Sequence, residues 1–467
     1  MEDCDGHLQI SVTHNNPPPL ISQYFYFLMV KYFQRMTRLR PVVLLACLVA
    51  AVQAGYDSIN KDIVVTNCER SVDISSQLVK MNHKLSIKNS GQGAVKSVLF
   101  SMDPTLQDKV SFIEATVGSS DKTYLRLTET KVQSDMEKIF WKIDLKSALT
   151  AGSSVTLMVD VVLGKALEMF PAQITQKEKQ LARFSGNLYA FLPYPVTTQS
   201  TTVALATSNV ESYTKIKPVS LSETTLSYGP FNNIAAFTAA DMTVHSENNN
   251  PMLVVTRLER LLELSMWGNI AVEETVDVAH RGALLKGSFS RYEFQRESSG
   301  VSSVKNFKTL LPASSKDVYY RDDIGNISTS HMRVMDDAVE LDLRPRFPLF
   351  GGWKTHYVIG YNVPSYEYLF YSGNQHVLNM RLVDHIFDDM LVEEAEVKVI
   401  LPEGVTDIEV VTPYKMTRGE DGLHHTYLDT TGRTVISLST NKLLTENHIQ
   451  DFQIRLDLEY LEIFHNK

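Results

Sequence analysis

Apolar and polar residues alternate along most of the chain after Gly55, which is the period of a half-buried β-strand. Val79, Met81, Leu85 and Ile87 illustrate the pattern, since each is separated from the next by polar side chains. Clusters of Gly, Asn and Ser separate such runs and predict turns. Short strands at this spacing indicate an all-β sandwich. Further strands are predicted at residues 95–102, 110–117, 123–128, 139–145, 154–163, 202–206, 253–262, 269–278, 338–343, 357–361, 375–382, 397–401, 409–411, 434–438 and 452–458.

Two polar segments interrupt this pattern. Residues 175–184 are rich in good helix formers, so we expect a short helix there. Residues 246–251, Ser-Glu-Asn-Asn-Asn-Pro, form the best candidate for a linker. We therefore predict a mainly β fold, with two β-sandwich-like domains in tandem and a few short helices. The predicted divisions are an N-terminal extension with a signal peptide at 1–54, a first domain at 55–250 and a second domain at 251–467.

The signal peptide is predicted at residues 36–54. Arg38 and Arg40 supply a short positive region, and an uncharged, almost wholly apolar run follows. Small residues precede a cut between Ala54 and Gly55. A buried helix or a membrane span is the alternative, but the apolar run is short for the ~30 Å of a bilayer core. The pattern therefore predicts a secretory route.

The region before the signal peptide does not fit a usual leader. A signal peptide normally begins at the initiator methionine, and Met36 is placed for that role. We expect residues 1–35 to be an upstream extension from a gene model or an alternative transcript. A signal peptide with a long leader is the alternative.

Charge and cysteine content narrow the class of protein. The formal charge is −9 without a long basic run, which argues against a nucleic-acid partner. Of three cysteines only Cys68 follows the predicted cut, so the mature chain cannot form an intramolecular disulfide. We interpret Cys68 as a buried, inert thiol rather than a reactive one.

Asn326 begins Asn-Ile-Ser, an acceptor for an N-linked glycan, and a turn is expected at the two aspartates before it.

The chain shows no catalytic motif. It contains no His-Glu-x-x-His, Cys-x-x-Cys, Gly-x-Ser-x-Gly or phosphate-binding loop, so we predict no catalytic residue, metal or cofactor. Residues 384–389, Asp-His-Ile-Phe-Asp-Asp, offer oxygens to a hard cation, but a solvated loop is the favoured interpretation. Arg344 and Arg346 suit either an anionic ligand or surface ion pairs, and ion pairs are favoured.

The densest chemical feature is aromatic. Residues 347–370 hold eight aromatic side chains, whereas the whole chain is 9% aromatic. We expect a sharp turn at Phe350-Gly351-Gly352-Trp353, a strand at 357–361, a turn at 362–365 and extended chain at 366–368. The favoured interpretation is a hairpin whose rings fill a core. The alternative is a platform for a partner, with Tyr366, Tyr368 and Phe370 as the candidate partner surface.

Residues 344–369 closely resemble the lumenal domain of the ribophorin I family, and the resemblance extends from about Gly55 to the C-terminus. Several long strings carry it: Gln173–Gln180 (QITQKEKQ), Asn209–Lys215 (NVESYTK), Tyr228–Phe231 (YGPF), Trp267–Glu274 (WGNIAVEE), Asp317–Asp322 (DVYYRD) and Val399–Gly404 (VILPEG).

The resemblance implies a non-catalytic accessory subunit of the oligosaccharyltransferase complex. That complex transfers a preassembled glycan from dolichyl diphosphate to Asn in Asn-x-Ser/Thr of nascent chains, and its catalytic subunit is a different chain. The implied location is the lumenal side of the endoplasmic reticulum, and the implied partners are the other subunits and nascent glycoproteins. Asn326 matches a position that the family presents for glycosylation.

The sequence departs from the family pattern at both ends. Members continue into a transmembrane helix, and this sequence stops just before it, so we expect membrane association through the complex. Two further classes remain open on the residues alone. One is a secreted or lumenal carbohydrate-active enzyme with scattered carboxylates. The other is a free β-sandwich binding module.

Overall fold

The computed structural model describes residues 57–118, 122–133, 135–296, 302–427 and 429–458. The predicted signal peptide and the cut between Ala54 and Gly55 lie outside these ranges. The chain divides into two compact units. One comprises residues 1–58 and 132–134, of which only a few are described, and the other comprises residues 59–131 and 135–467.

Strands dominate the first half of the chain. They are β1 (Ile63–Asp73), β2 (Val79–Asn89), β3 (Val95–Ser101), β4 (Val110–Val117), β5 (Thr123–Tyr124), β6 (Arg126–Val132), β7 (Asp135–Leu149), β8 (Ser154–Leu163), β9 (Leu167–Met169), β10 (Gln173–Ile174), β11 (Leu181–Asn187), β12 (Val196–Ala204), β13 (Val210–Tyr213), β14 (Val219–Ser222), β15 (Thr225–Ile234) and β16 (Asp241–Glu247).

The second half is equally strand-rich. Its strands are β17 (Leu253–Ser265), β18 (Asn269–His280), β19 (Leu284–Leu285), β20 (Phe307–Pro312), β21 (Lys316–Asp322), β22 (Gly325–Asn326), β23 (His331–Val334), β24 (Ala338–Leu343), β25 (Lys354–Pro364), β26 (Leu369–Ser372), β27 (Gln375–Arg381), β28 (Leu391–Ile400), β29 (Val405–Val411), β30 (Thr417–Arg418), β31 (Gly422–His424), β32 (Arg433–Leu444) and β33 (Asp451–Leu458).

Helices are few and short in the described part of the chain. They are α1 (Pro104–Gln107), α2 (Arg291–Arg296), α3 (Thr445–His448) and a 3₁₀ turn at Ser365–Glu367. Among the described residues, no helix has the length and apolar character needed to cross a membrane.

The first half builds a large sheet with two smaller ones. The large sheet has the order β14-β15-β12-β1-β2-β8-β4-β5, and the smaller sheets are β13-β16-β11-β9 and β3-β7-β6. The pair of β1 with β12 is parallel, and the neighbouring pair of β1 with β2 is antiparallel. His83 on β2 contacts Phe100 on β3 with ring centroids 5.3 Å apart, so the β3 sheet packs on the face of the large one.

The second half repeats this plan. A nine-stranded sheet contains β22-β21-β25-β18-β17-β28-β32-β30, with β31 also paired to β32. Two smaller sheets, β20-β24-β23 and β26-β27-β33-β29, share one apolar core with it. Phe307 on β20 lies 5.9 Å from Tyr357 on β25, measured between ring centroids. Sheets packed face to face confirm the predicted mainly β, sandwich-like architecture.

Sheet membership changes close to residue 250. Every sheet draws its strands from one side of that point, except the two-residue pair of β10 with β19. The predicted linker, residues 246–251, is held to the first half by hydrogen bonds. Asn248 is buried, and its side-chain amide donates to the carbonyls of Ile74 and Ser75, each at 3.2 Å. The domain boundary at 250/251 stays a prediction.

The helix expected at residues 175–184 is wrong. Residues 175–180 form a turn, and β11 begins at Leu181. The Glu178 carboxylate accepts from the backbone N–H of Thr175 at 2.6 Å, which closes the turn. Gln180 is fully buried, donates to the carbonyl of Asn248 and accepts from the N–H of Ala283. These long-range bonds outweigh the local preference for helix.

The aromatic run also differs from its predicted conformation beyond residue 361. Strand β25 continues through Pro364, where a turn was expected, because β18 pairs with it as far as Asn269 opposite Pro364. A 3₁₀ turn then occupies Ser365–Glu367, where extended chain was expected. Extended chain resumes only with β26.

Candidate functional site

A buried ionic cluster lies in the core of the second half. Arg260 on β17 faces Glu274 on β18 in the strand register, and Asp384 reaches Arg260 from the loop after β27. Arg260 Nη1 contacts a Glu274 carboxylate oxygen and donates to Asp384 Oδ2 at 2.7 Å. The Tyr361 hydroxyl donates to the same Asp384 oxygen. The side chains of Arg260, Glu274 and Asp384 have no solvent exposure.

Burial changes the protonation of this cluster. The pKa of Glu274 is raised to about 7, mainly because the carboxyl group is buried. The Arg260 charge opposes this rise in pKa, and the Asp384 charge adds to it. Glu274 Oε2 and Asp384 Oδ1 have no hydrogen-bond partner in the described structure. Because no face of the cluster meets solvent, a substrate cannot reach it. Its role is to join three strands and one loop inside the core.

The solvated loop expected at residues 384–389 is wrong, because half of its residues, Asp384, Ile386 and Phe387, are buried. Asp384 is fully buried, while Asp388 is exposed and accepts from His385 Nε2 at 3.0 Å. Asp389 forms an ion pair with Lys80 at 2.5 Å. Within the described ranges, no group of three or more His, Cys, Asp or Glu side chains is arranged to hold a metal ion.

The first half of the aromatic run packs into the fold. Phe350 and Trp353 lie 5.3 Å apart, and Phe289 lies 5.9 Å from Trp353, all measured between ring centroids. Gly352 has φ of +85°, and Gly351 leaves no room for a side chain beside the Ala283 carbonyl. The predicted glycine turn is therefore confirmed. Tyr357 is fully buried in the core, as the core interpretation expects.

The three rings of the candidate partner surface, Tyr366, Tyr368 and Phe370, differ in their exposure to solvent. Tyr366 is 76% exposed in the 3₁₀ turn, and Phe370 is 54% exposed on edge strand β26. Tyr368 is half-buried and packs against the core, and its hydroxyl lies 3.0 Å from the Ser314 hydroxyl. Two of the three rings are thus available to a partner, and the third anchors the segment.

A second exposed segment adjoins this one. Trp267 is 87% exposed and Met266 42% exposed in the turn between β17 and β18. The N–H of Ser365 donates to the carbonyl of Gly268 at 3.0 Å, so the two turns touch. We name the set Met266, Trp267, Tyr366, Phe370 and Tyr371 the aromatic surface; Tyr371 is 75% exposed. Trp267 was not among the residues predicted for a partner surface, although the Trp-Gly-Asn sequence between two predicted strands marks a hairpin turn.

Charged residues near the aromatic run form surface ion pairs. Arg346 binds the Asp322 carboxylate through two nitrogens, with Nη2 to Oδ1 at 2.8 Å. Asp322 also accepts from the N–H groups of Ile324 and Gly325, which forms the expected turn. Arg344 pairs with Asp342 at 3.5 Å. These contacts favour ion pairing over an anion site for the two arginines.

Two further predicted residues have defined surroundings. Asn326 is exposed on the edge strand β22, and Ser328 is exposed beside it. Cys68 is fully buried on β1, and burial raises the pKa of its thiol to about 12, so it is inert at neutral pH. The interpretation of Cys68 as a buried thiol is confirmed.

Comparison with known proteins assigns the family. The model of the Ribophorin I family matches residues 63–466. Subunit 1 of the dolichyl-diphosphooligosaccharide–protein glycosyltransferase from Caenorhabditis elegans is 40% identical over 400 residues, which cover 85% of this chain and 68% of that protein. Subunit 1A from Arabidopsis thaliana is 35% identical over 83% of this chain and 65% of its own length. Subunit 1B from the same plant is 36% identical, over 84% of this chain and 86% of its own length.

The structural similarity to yeast leukotriene A4 hydrolase in complex with bestatin is weak, with a TM-score of 0.28 and 10% identity over 44% of this chain and 31% of that chain. The family match spans nearly all of the described residues, and it agrees with the strings from which the resemblance was read. The chain therefore belongs to the Ribophorin I family.

Proposed function

We propose that this chain is a non-catalytic accessory subunit of an oligosaccharyltransferase complex on the lumenal side of the endoplasmic reticulum. The observation that carries the proposal is its similarity, over most of its length, to proteins named subunit 1 of dolichyl-diphosphooligosaccharide–protein glycosyltransferase. In such a complex, glycan passes from dolichyl diphosphate to Asn in Asn-x-Ser/Thr of nascent chains. The partners are the other subunits, including the catalytic one, and nascent glycoproteins.

The structure supports a non-catalytic role. The cluster of ionisable side chains around Arg260 is closed to solvent. The arginines near the aromatic run are engaged with aspartates. Glycan transfer needs an accessible acid or base or a bound metal. The purified chain is therefore expected to transfer no glycan to an Asn-x-Thr peptide, and transfer by the chain alone would contradict this.

The aromatic surface is the proposed contact with another subunit. Large rings are enriched at the energetic centres of protein interfaces, and this surface presents the exposed Trp267 and Tyr366 on two turns that touch. Phe370 and Tyr371 extend the surface along edge strand β26. Tyr368 holds the segment in place through Ser314. Membrane association of this chain is proposed to follow from the same complex.

The test is co-purification of the full chain from cells. A tagged chain is recovered from detergent-solubilised endoplasmic reticulum, and the catalytic subunit is quantified by mass spectrometry. We expect wild type to recover it, and Trp267→Ala with Tyr366→Ala to reduce recovery at least about tenfold, as the loss of two interface rings predicts. Tyr427→Ala is the matched control, since Tyr427 is 93% exposed elsewhere.

The two possible failures are distinguishable. If wild type recovers no other subunit, the proposed function is wrong. If wild type and the double variant recover equal amounts, the function stands and the aromatic surface is not the contact.

Processing at two positions is part of the same proposal. Asn326 is proposed to carry an N-linked glycan, supported by its exposure on an edge strand and by the exposed Ser328. Asn326→Gln should then abolish one glycosidase-sensitive mobility shift. Cleavage between Ala54 and Gly55 is proposed from the signal pattern alone, and N-terminal sequencing showing any other first residue would contradict it.

A further inference from the structure

An uncharged cleft lies where the two halves of the chain meet. It has a volume of about 340 Å³ and is bounded by β4 on one side and by α3 with residues 413–414 on the other. The side chains that matter are Phe112, Tyr414 and His448, which are rings, and Ser111, Asn447 and Gln450, which are polar. Its volume is at the small end of the range for ligand sites, which is roughly 300–1,000 Å³.

The three rings form one rigid wall. The His448 ring centroid lies 4.8 Å from that of Tyr414 and 5.5 Å from that of Phe112. It is nearly perpendicular to both, at 85° and 84°. Edge-to-face contacts of this kind fix ring positions without filling the space in front of them. The Tyr414 hydroxyl donates to the His448 carbonyl at 3.4 Å, which ties the two chain segments together.

His448 is a neutral hydrogen-bond donor in this wall. Burial lowers its pKa, so the ring carries no charge at neutral pH. The N–H of Leu444 donates to His448 Nδ1 at 3.1 Å, and Nδ1 therefore has no proton. The single ring proton is on Nε2 as a consequence. Since the neighbouring rings cannot accept it strongly, this N–H is left for a ligand or for water.

Other polar groups around the cleft also have hydrogen-bond donors or acceptors without a partner. Among the described residues, no hydrogen bond engages the side-chain amides of Asn447 or Gln450, and each amide can donate and accept. Ser111 Oγ is buried without any partner. A purely apolar ligand would bury these groups without hydrogen bonds, which is unfavourable.

Charge excludes another class of ligand. No Asp, Glu, Lys or Arg side chain lines the cleft, although 21% of the chain is charged. An ionic ligand would lose its hydration without gaining a countercharge. The remaining class is a neutral molecule with an apolar face for the rings and hydroxyl groups for the amides. A pyranose ring has both, because its C–H bonds cover one face and its hydroxyls surround the edge.

We propose that this cleft binds a neutral sugar ring, with Tyr414 and Phe112 contacting its C–H face and Asn447, Gln450 and His448 Nε2 bonding its hydroxyls. The proposal goes beyond subunit membership and does not depend on it, since the isolated chain can bind sugar without joining a complex. Binding would bridge the two halves, because β4 belongs to one half and α3 to the other.

The test is a titration of the full-length mature chain with neutral disaccharides, maltose, mannobiose and diacetylchitobiose, followed by saturation-transfer NMR. We expect at least one to saturate with a dissociation constant of about 1–10 mM, the range for a shallow site with few contacts. Tyr414→Ala should weaken that binding at least about tenfold, as loss of a stacking ring predicts. Tyr427→Ala, which removes an exposed ring elsewhere, should leave it unchanged.

Two further variants separate binding from folding. Tyr414→Phe keeps the ring and should keep most of the affinity, and Asn447→Ala should weaken it without touching the ring wall. Thermal midpoints are measured for each variant.

Several outcomes would overturn the proposal. They are no saturable binding by any of the three sugars at about 50 mM, equal binding by wild type, Tyr414→Ala and Asn447→Ala, or binding of a neutral peptide such as acetyl-Gly-Pro-Asn-amide in place of the sugars. Because co-purification with the catalytic subunit is measured separately, failure here leaves the proposed function untouched.

Discussion

Arg260, Glu274 and Asp384 bring one guanidinium and two carboxyl groups into a space that water does not reach. Full ionisation would leave one uncompensated negative charge in a medium of low dielectric constant. Asp384 accepts from Arg260 and Tyr361 through one oxygen and Glu274 accepts from Arg260 through one oxygen, while the other oxygen of each carboxyl group has no partner. Burial raises the pKa of Glu274 to about 7, so this carboxyl group binds a proton more readily than an exposed glutamate does. We therefore expect the stability of the core to depend on pH.

The first prediction concerns this carboxyl group. Burial raises the folded-state pKa of Glu274 from 4.5 to about 7, so between these values the folded chain binds more protons than the unfolded one. Its contribution to stability is complete below about pH 4.5 and decreases as pH rises to about 7. Glu274→Gln mimics the protonated group. We expect its free energy of unfolding, relative to wild type, to increase between pH 5 and 7.5, by about 3 kcal/mol at most.

Chemical denaturation at several pH values measures this difference. Glu409→Gln is the control, since Glu409 is in an exposed ion pair with Arg455 and its substitution should change little at any of these pH values. A constant offset between wild type and Glu274→Gln across the range would show that Glu274 does not titrate there.

At the scale of elements, the conformation of the aromatic run depends on a close backbone contact between the turn at Gly351 and residues 282–283. The backbone of Gly351 contacts residues 282–283 so closely that an added Cβ would overlap the Ala283 carbonyl. The N–H of Leu285 donates to the Gly351 carbonyl, and the N–H of Gly352 donates to the His280 carbonyl. This turn fixes Trp353 against Phe289 and sets the start of β25.

The second prediction follows from that contact. Gly351→Ala should destabilise the fold by more than about 2 kcal/mol, because backbone rather than a flexible side chain must move to admit the methyl group. Gly93→Ala is the matched control, because a Cβ there meets nothing within 4 Å. Thermal midpoints of the two variants give the comparison, and equal midpoints would mean that the turn relaxes without cost.

At the scale of the whole molecule, the two halves share a small apolar contact of their own. Leu78 and Val162 from the first half pack with Val254, Leu391 and Leu444 from the second. Polar contacts flank it: Gln77 Nε2 donates to the Asp389 carbonyl, and Lys80 pairs with Asp389. Because these contacts join the large sheets directly, opening of one half should expose the other.

The third prediction tests this coupling. Leu391→Ala should cost about 2–5 kcal/mol, as removal of a buried leucine does. Amide exchange should then accelerate in β2 as well as in β28, although only β28 carries the substitution. Leu221→Ala, at a leucine that is 40% exposed, should change neither strand. Faster exchange confined to β28 would show that the halves open independently.

The sequence by itself determined the class of fold and the family. The period-2 pattern predicted β2, β4 and β8 with close boundaries, because a strand with one buried face needs no distant information to be recognised. The long family strings identified the Ribophorin I family because each is a continuous stretch of sequence, which can be recognised without knowledge of distant contacts. The glycine turn and the buried Cys68 were predicted from residue type alone.

Only the tertiary structure decided which polar residues are buried and which rings are exposed. Gln180 is not helical, because its side chain forms hydrogen bonds with Asn248 and Ala283. Asp384 is buried in the core because it pairs with Arg260 there. The turns that carry Tyr366 and Trp267 touch through a backbone hydrogen bond, although they are distant in the chain. Such pairings depend on contacts between distant segments, and a single sequence does not record them.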